Sequence, residues 1–255
     1  MLFPISDDDR HLMHPAWVTI GLVVMNIAVF FLQLANPEMI YAWSAVPFEI
    51  INGVDLIEPT AIDAGSQSVV IPQLPGPTPI HLTLLSSMFM HGGWMHLGGN
   101  LLYLWIFGDN VEHRFGSLPF LGFYLLSGLA ASLAQIMMGP DSVIPTLGAS
   151  GAISGVMGAY MVLFPRNRVN AVFFFRIISV PAVVVLGFWI VTQVISGSSS
   201  ISEIGKSGGV AYAAHIGGFI AGVLAGIFCR AMLRKEPDSV FRDIYNKQRN
   251  VKKYW

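Results

Sequence analysis

Six apolar runs, at about residues 16–34, 94–107, 118–138, 148–164, 178–195 and 209–232, constrain this chain more than any single motif in it. A run of about 20 apolar residues crosses a hydrocarbon core of about 30 Å, where only helices and closed barrels satisfy their own backbone. The second run reaches that length if it continues to Glu112. Charged residues make up 11% of the chain and hydrophobic ones 54%, whereas an ordinary soluble domain is about 25% charged. The expectation is an all-α, polytopic membrane protein: a six-transmembrane-helix domain over residues 16–232, an N-terminal segment 1–15 and a basic tail 233–255. Membrane lipid is its expected surrounding, and no nucleic acid is expected as a partner.

If the runs alternate in direction, thirteen of the fourteen Lys and Arg residues fall on the side of the two termini, and only Lys206 falls opposite. That asymmetry is the positive-inside pattern, so both termini are expected in the cytoplasm and the plasma (inner) membrane is the expected location. The connection at 35–93 fits export, with Glu38, Glu49, Asp55, Glu58 and Asp63 but no Lys or Arg. Its length, its prolines and an amphipathic stretch at 81–90 predict a structured external flap. Acidic Asp7, Asp8 and Asp9 precede the first run where a cleaved leader would be basic, so that run is expected to remain as an anchor. Residues 169–176 are read as an interfacial lead-in to the fifth run, with Arg176 snorkelling to the headgroups. The lone cysteine, Cys229, is expected to be a small core residue.

Few polar groups interrupt the runs, and each asks for a reason. Ser150 opens the fourth run within Gly148-Ala149-Ser150-Gly151-Ala152-Ile153-Ser154-Gly155. A serine on the first turn of a helix lies beside unpaired backbone N–H groups that can stabilise an oxyanion. The stretch is not a Gly-x-Ser-x-Gly elbow, since Ala152 replaces the second glycine. His96 and Asn100, four apart in the second run, share one helical face, and His91 falls off it. No His-Glu-x-x-His pattern is present, so neither a metal nor a cofactor is expected. Glu112 and Arg114 are expected to cap and tie helices. The run at 178–195 has no acid, base or histidine and is read as lipid-facing or loosely packed. A Gly/Ser-rich loop at 196–208 follows, expected to be a flexible connector or cap. His215 is the one residue in the last run of a type that ordinarily titrates near neutral pH, which makes it a candidate functional group.

The second, fourth and sixth runs point the same way, so His96, Asn100, Ser150 and His215 share one depth, within about 10–15 Å of the external surface. Small-residue tracks at Gly151, Gly155 and Ala159 and at Ala214, Gly218, Gly222 and Gly226 allow the fourth and sixth helices to touch. Ser150 and His215 then come within hydrogen-bonding reach as a nucleophile and its base. No Asp or Glu lies at that depth to orient the histidine, which makes the pair a dyad. Backbone N–H groups of Ser150 and Gly151, with the side chains of His96 and Asn100, are the expected oxyanion hole.

Taken together, Gly148-Ala149-Ser150-Gly151, His91 and His96 with Asn100, and Ala214-His215-Ile216-Gly217-Gly218 resemble the rhomboid family of intramembrane serine proteases. The resemblance implies a six-helix rhomboid core, Ser150 as nucleophile, His215 as base, and His96 and Asn100 at the oxyanion positions. It also implies a structural role for Glu112, a substrate gate and cap in the fifth run and the 196–208 loop, and transmembrane proteins as substrates. Two departures stand out: Leu82-Thr83 replaces a Trp-Arg pair of the first loop, and Ser154 stands where some members place a tyrosine against the histidine. The competing classes are a non-catalytic relative that binds client transmembrane helices and a transporter. Intact Ser150 and His215 weigh against the first, and the lack of paired acids or repeated halves against the second.

Overall fold

The computed structural model describes residues 2–7, 14–63, 68–201 and 211–232. Residues 202–208 of the expected cap, Lys206 among them, Asp8, Asp9 and the basic tail at 233–255 lie outside the described residues. Six long helices form an all-α polytopic membrane core: α1 Trp17–Ala35, α2 Trp94–Phe115, α3 Ser117–Met138, α4 Ser150–Leu163, α5 Ala182–Ile201 and α6 Tyr212–Met232. By length and composition α1, α3 and α6 can each cross a membrane, whereas α4 and the apolar part of α5 are shorter. The 22 residues of α2 include Asp109, Glu112 and Arg114 in its last turns, so its apolar part ends early.

The centre of the bundle is α4. Residues 151–160 are all buried, and the helix packs on α2, α3 and α6. Fourteen residues rise only about 21 Å, so a helix shorter than the hydrocarbon core begins below one face of the bundle. Contact between α4 and α6 is made backbone to backbone: a Cβ added at Gly218 would collide with the Gly151 carbonyl, and one at Gly222 with the Gly155 carbonyl. Without a hydrophobic driving force between helices in lipid, such close packing is what holds them.

At the other end Glu112 ties three helices. Its carboxylate accepts hydrogen bonds from the Val18 and Thr19 N–H groups at 3.0 and 2.7 Å, capping α1. Hydroxyls of Thr19 and Ser117 add bonds at 2.8 and 2.7 Å, the latter from the first residue of α3. The capping role read from the sequence is therefore what its geometry provides.

Among the described residues five strands accompany the helices: β1 Leu2–Ser6, β2 Thr60–Asp63, β3 Ser68–Ile71, β4 Arg168–Phe173 and β5 Arg176–Pro181. Here the lead-in expected at 169–176 is corrected. Residues 168–181 form a β4–β5 hairpin, and β1 pairs antiparallel with β4 in a sheet ordered β1-β4-β5. The strands are rich in β-branched residues, Val169 and Ala171 face inward, and Pro181 ends the hairpin where α5 begins. Arg176 is exposed in β5.

Over its described residues the 36–93 connection is structured, with short helices Met39–Ala42, Pro47–Asn52 and Thr83–Ser86 and the β2–β3 hairpin. It docks beside the start of α4. Ala45 and Thr146 exchange backbone hydrogen bonds at 3.1 and 2.8 Å, and the Gly148 N–H donates to the Ser87 carbonyl at 2.9 Å.

Candidate active site

Ser150 is the first residue of α4, and His215 lies in the first turn of α6. The close α4–α6 seam brings the two side chains together: Ser150 Oγ and His215 Nε2 are 2.8 Å apart. On the other side of the ring, Nδ1 lies 2.7 Å from Oε1 of Gln193 in α5. A carbonyl oxygen only accepts, so Nδ1 carries the proton, and the Nε2 lone pair is left facing the serine hydroxyl. Trp189, one turn before Gln193, packs its ring 5.7 Å from the imidazole at 40°.

Gly148 shapes the approach to Ser150. Its φ of +124° is one that residues with a Cβ rarely adopt. A Cβ at that position would also lie 2.6 Å from His96 Nε2 and 3.6 Å from Ser150 Oγ, so the imidazole of His96 and the serine hydroxyl flank the same bare backbone. His96 Nδ1 accepts from the Gly92 N–H at 3.3 Å, which places the proton of the neutral ring on Nε2, the nitrogen beside Gly148. Asn100 is buried, and its Nδ2 has no hydrogen-bond partner among the described residues. A buried amide donor without a partner costs free energy unless something else accepts from it.

His96, Asn100, Ser150, Ser154, Trp189 and His215 all line one cavity of about 550 Å³. Gly151 is one residue further along the first turn of α4 and lines a small neighbouring space with Ser150 and Ala214. Every site residue expected from the sequence is thus gathered at one end of α4. His91 does not line this cavity. Its backbone N–H and carbonyl pair with the Gln33 side chain at 3.0 and 3.2 Å, and its ring meets that of His96 edge-on at 5.2 Å. The hydroxyl of Ser154 bonds back to the Ser150 carbonyl at 2.6 Å and gives His215 no support.

Support for His215 comes instead from α5, which has the exposed apolar face expected of a lipid-facing run and, beyond that expectation, a second face turned to the site. Val185 and Leu186 are buried and Trp189 and Gln193 face His215, while Val183, Val184, Phe188, Val191, Val194 and Ile195 are exposed. Gln193 was the missed residue. Its signal is an amide four positions after Trp189 in an otherwise apolar run, where an amide asks for a partner on a neighbouring helix.

A family model described as Rhomboid domain matches residues 81–232, more than half of the chain. The chain is 32% identical over 159 residues to Rhomboid protein 1, mitochondrial, of Saccharomyces cerevisiae, covering 61% of this chain and 44% of that protein. It is 36% identical over 146 residues to Rhomboid protease GluP of Bacillus subtilis, covering 56% of this chain and 25% of the relative. RHOMBOID-like protein 12, mitochondrial, of Arabidopsis thaliana is 30% identical over 152 residues, 52% of this chain and 44% of that one. The chain thus spans less than half the length of the curated relatives it matches. A matched region that runs from just before α2 to the end of α6, and so takes in every residue of the cavity wall described above, means that the chain belongs to the rhomboid family.

Proposed function

We propose that this protein is an intramembrane serine endopeptidase that hydrolyses peptide bonds in or near the transmembrane segments of other membrane proteins. The observation that carries the proposal is the 2.8 Å contact between Ser150 Oγ and His215 Nε2 at a cavity that His96, Asn100 and Ser154 also line. Ser150 Oγ attacks the scissile carbonyl carbon while His215 Nε2 takes the hydroxyl proton. The tetrahedral oxyanion is received by the N–H groups of Ser150 and Gly151, His96 Nε2–H and the unpartnered Asn100 Nδ2. As the C–N bond breaks, His215 returns its proton to the leaving amine. A water entering the cavity then gives a proton to His215 and attacks the acyl ester; the C–Oγ bond breaks, His215 returns that proton to Ser150 Oγ, and the carboxylic acid product leaves.

The catalytic domain in this reading is residues 16–232. The segment 1–15 and the tail 233–255 lie in the cytoplasm, and the active site lies near the external face of a plasma (inner) membrane. Charge asymmetry along the sequence supports that orientation. Labelling of the detergent-solubilised protein with a fluorophosphonate tests the chemistry. Attachment at Ser150 that is lost in His215→Ala, together with cleavage of a test transmembrane substrate by the parent protein alone, is the expected result. A folded protein that neither labels nor cleaves overturns the proposal in favour of a client-binding role.

A further inference from the structure

We infer that Gln193 is a positioning residue for this reaction, holding His215 in the tautomer and orientation from which it takes the Ser150 proton; the inference rests on the protease reading above. A neutral imidazole carries its proton on either nitrogen, and only the form with Nε2 bare can accept from the serine. Gln193 Oε1, 2.7 Å from Nδ1, stabilises that form and disfavours the other, in which two lone pairs would face each other. In a serine protease triad this task belongs to a carboxylate. Here the amide of α5 takes it on.

Two further observations fit the role. Trp189 and Gln193 are one turn apart on the same face of α5, so one side chain packs on the ring while the other fixes its proton. The contact also gains strength when it is needed. Once Nε2 has taken the serine proton the ring is cationic, and a hydrogen bond from a charged donor is roughly twice as strong as a neutral one. The amide thereby favours the transition state over the ground state. A carboxylate would do more for the imidazolium, but its burial within the bilayer is costly, and an amide avoids a permanent charge there.

The competing role is plain structural adhesion between α5 and α6, and the experiment separates the two. Gln193→Met keeps the length of the side chain without an acceptor, and Gln193→Glu keeps an acceptor. On a test transmembrane substrate Gln193→Met is expected to lower kcat about tenfold, the rate equivalent of one lost hydrogen bond, with KM changed by less than about twofold. Gln193→Glu is expected to recover most of that loss. Nitrogen-15 spectra of histidine-labelled protein are expected to show the His215 proton on Nδ1 in the parent and a mixture of tautomers in Gln193→Met. Parental kcat in Gln193→Met, or Gln193→Glu as slow as Gln193→Met, overturns the role. So does a parent spectrum with the proton on Nε2, a reading available even if Gln193→Met does not fold. A parent protein that Ser150-directed labelling leaves untouched removes the protease reading and this role with it, whereas labelling of Gln193→Met at the parent's rate removes the Gln193 role alone.

Discussion

The seam between α4 and α6 and the flank formed by α5 hold the same imidazole in opposite ways. Along the seam, backbone meets backbone: the carbonyls of Gly151 and Gly155 occupy the places where side chains of Gly218 and Gly222 would stand. On the flank, contact is made by side chains from one face of α5, and the other face is exposed over Val184, Phe188, Val191 and Ile195. Backbone contact cannot be adjusted by rotating a side chain, so the seam fixes the separation of Ser150 and His215. Side-chain contact can be adjusted, and so the flank sets only how the ring is turned. Distance and orientation are governed by different helices.

Three substitutions can break or sharpen that contrast. Gly222→Val puts a branched side chain into the Gly155 backbone, where nothing can rotate away. The expected cost exceeds about 3 kcal/mol, with loss of the folded state in thermal unfolding and of Ser150 labelling together. Leu186→Ala on the inner face of α5 should cost about 2 kcal/mol in the same measurement. That is the low end for a buried leucine, because the transfer of the lost isopropyl group from lipid to protein contributes little and mainly the cavity term remains. Phe188→Ala on the outer face exchanges one apolar surface for another. It is expected to stay within about 0.5 kcal/mol of the parent and to leave kcat unchanged. Equal losses from Gly222→Val and Leu186→Ala would show that seam and flank are not different in kind.

Much of this arrangement was legible in the residues, and the gaps have physical causes. A bilayer demands long apolar runs, so the six helices stand out, and each observed helix begins within about four residues of its expected start. Parallel runs with polar groups in their first turns bring those groups to one depth, so Ser150, His96, Asn100 and His215 could be gathered before any coordinates. The β4–β5 hairpin was not legible, because Ile177, Ile178 and Val180 continue directly into an apolar helix. A short apolar run cannot be told from buried helix by periodicity. Gln193 escaped for a different reason: it is neutral, and attention to charge at that depth passes over an amide. Its partner on α6 lies 22 residues ahead in the chain and is set by helix packing.

The strand at the start of the chain has a consequence for the order of events in folding. Asn170 of β4 donates to the Ser6 hydroxyl at 3.0 Å across 164 residues, and Tyr160 of α4 donates from its phenol to the Asp7 carboxylate. During synthesis the first strand must therefore wait, without its mate, while four helices are made and inserted. Only when β4 leaves the ribosome can the two ends of that long circuit fasten, so protection of Phe3 to Ile5 from exchange or proteolysis would serve as a clock for the completion of the central helices.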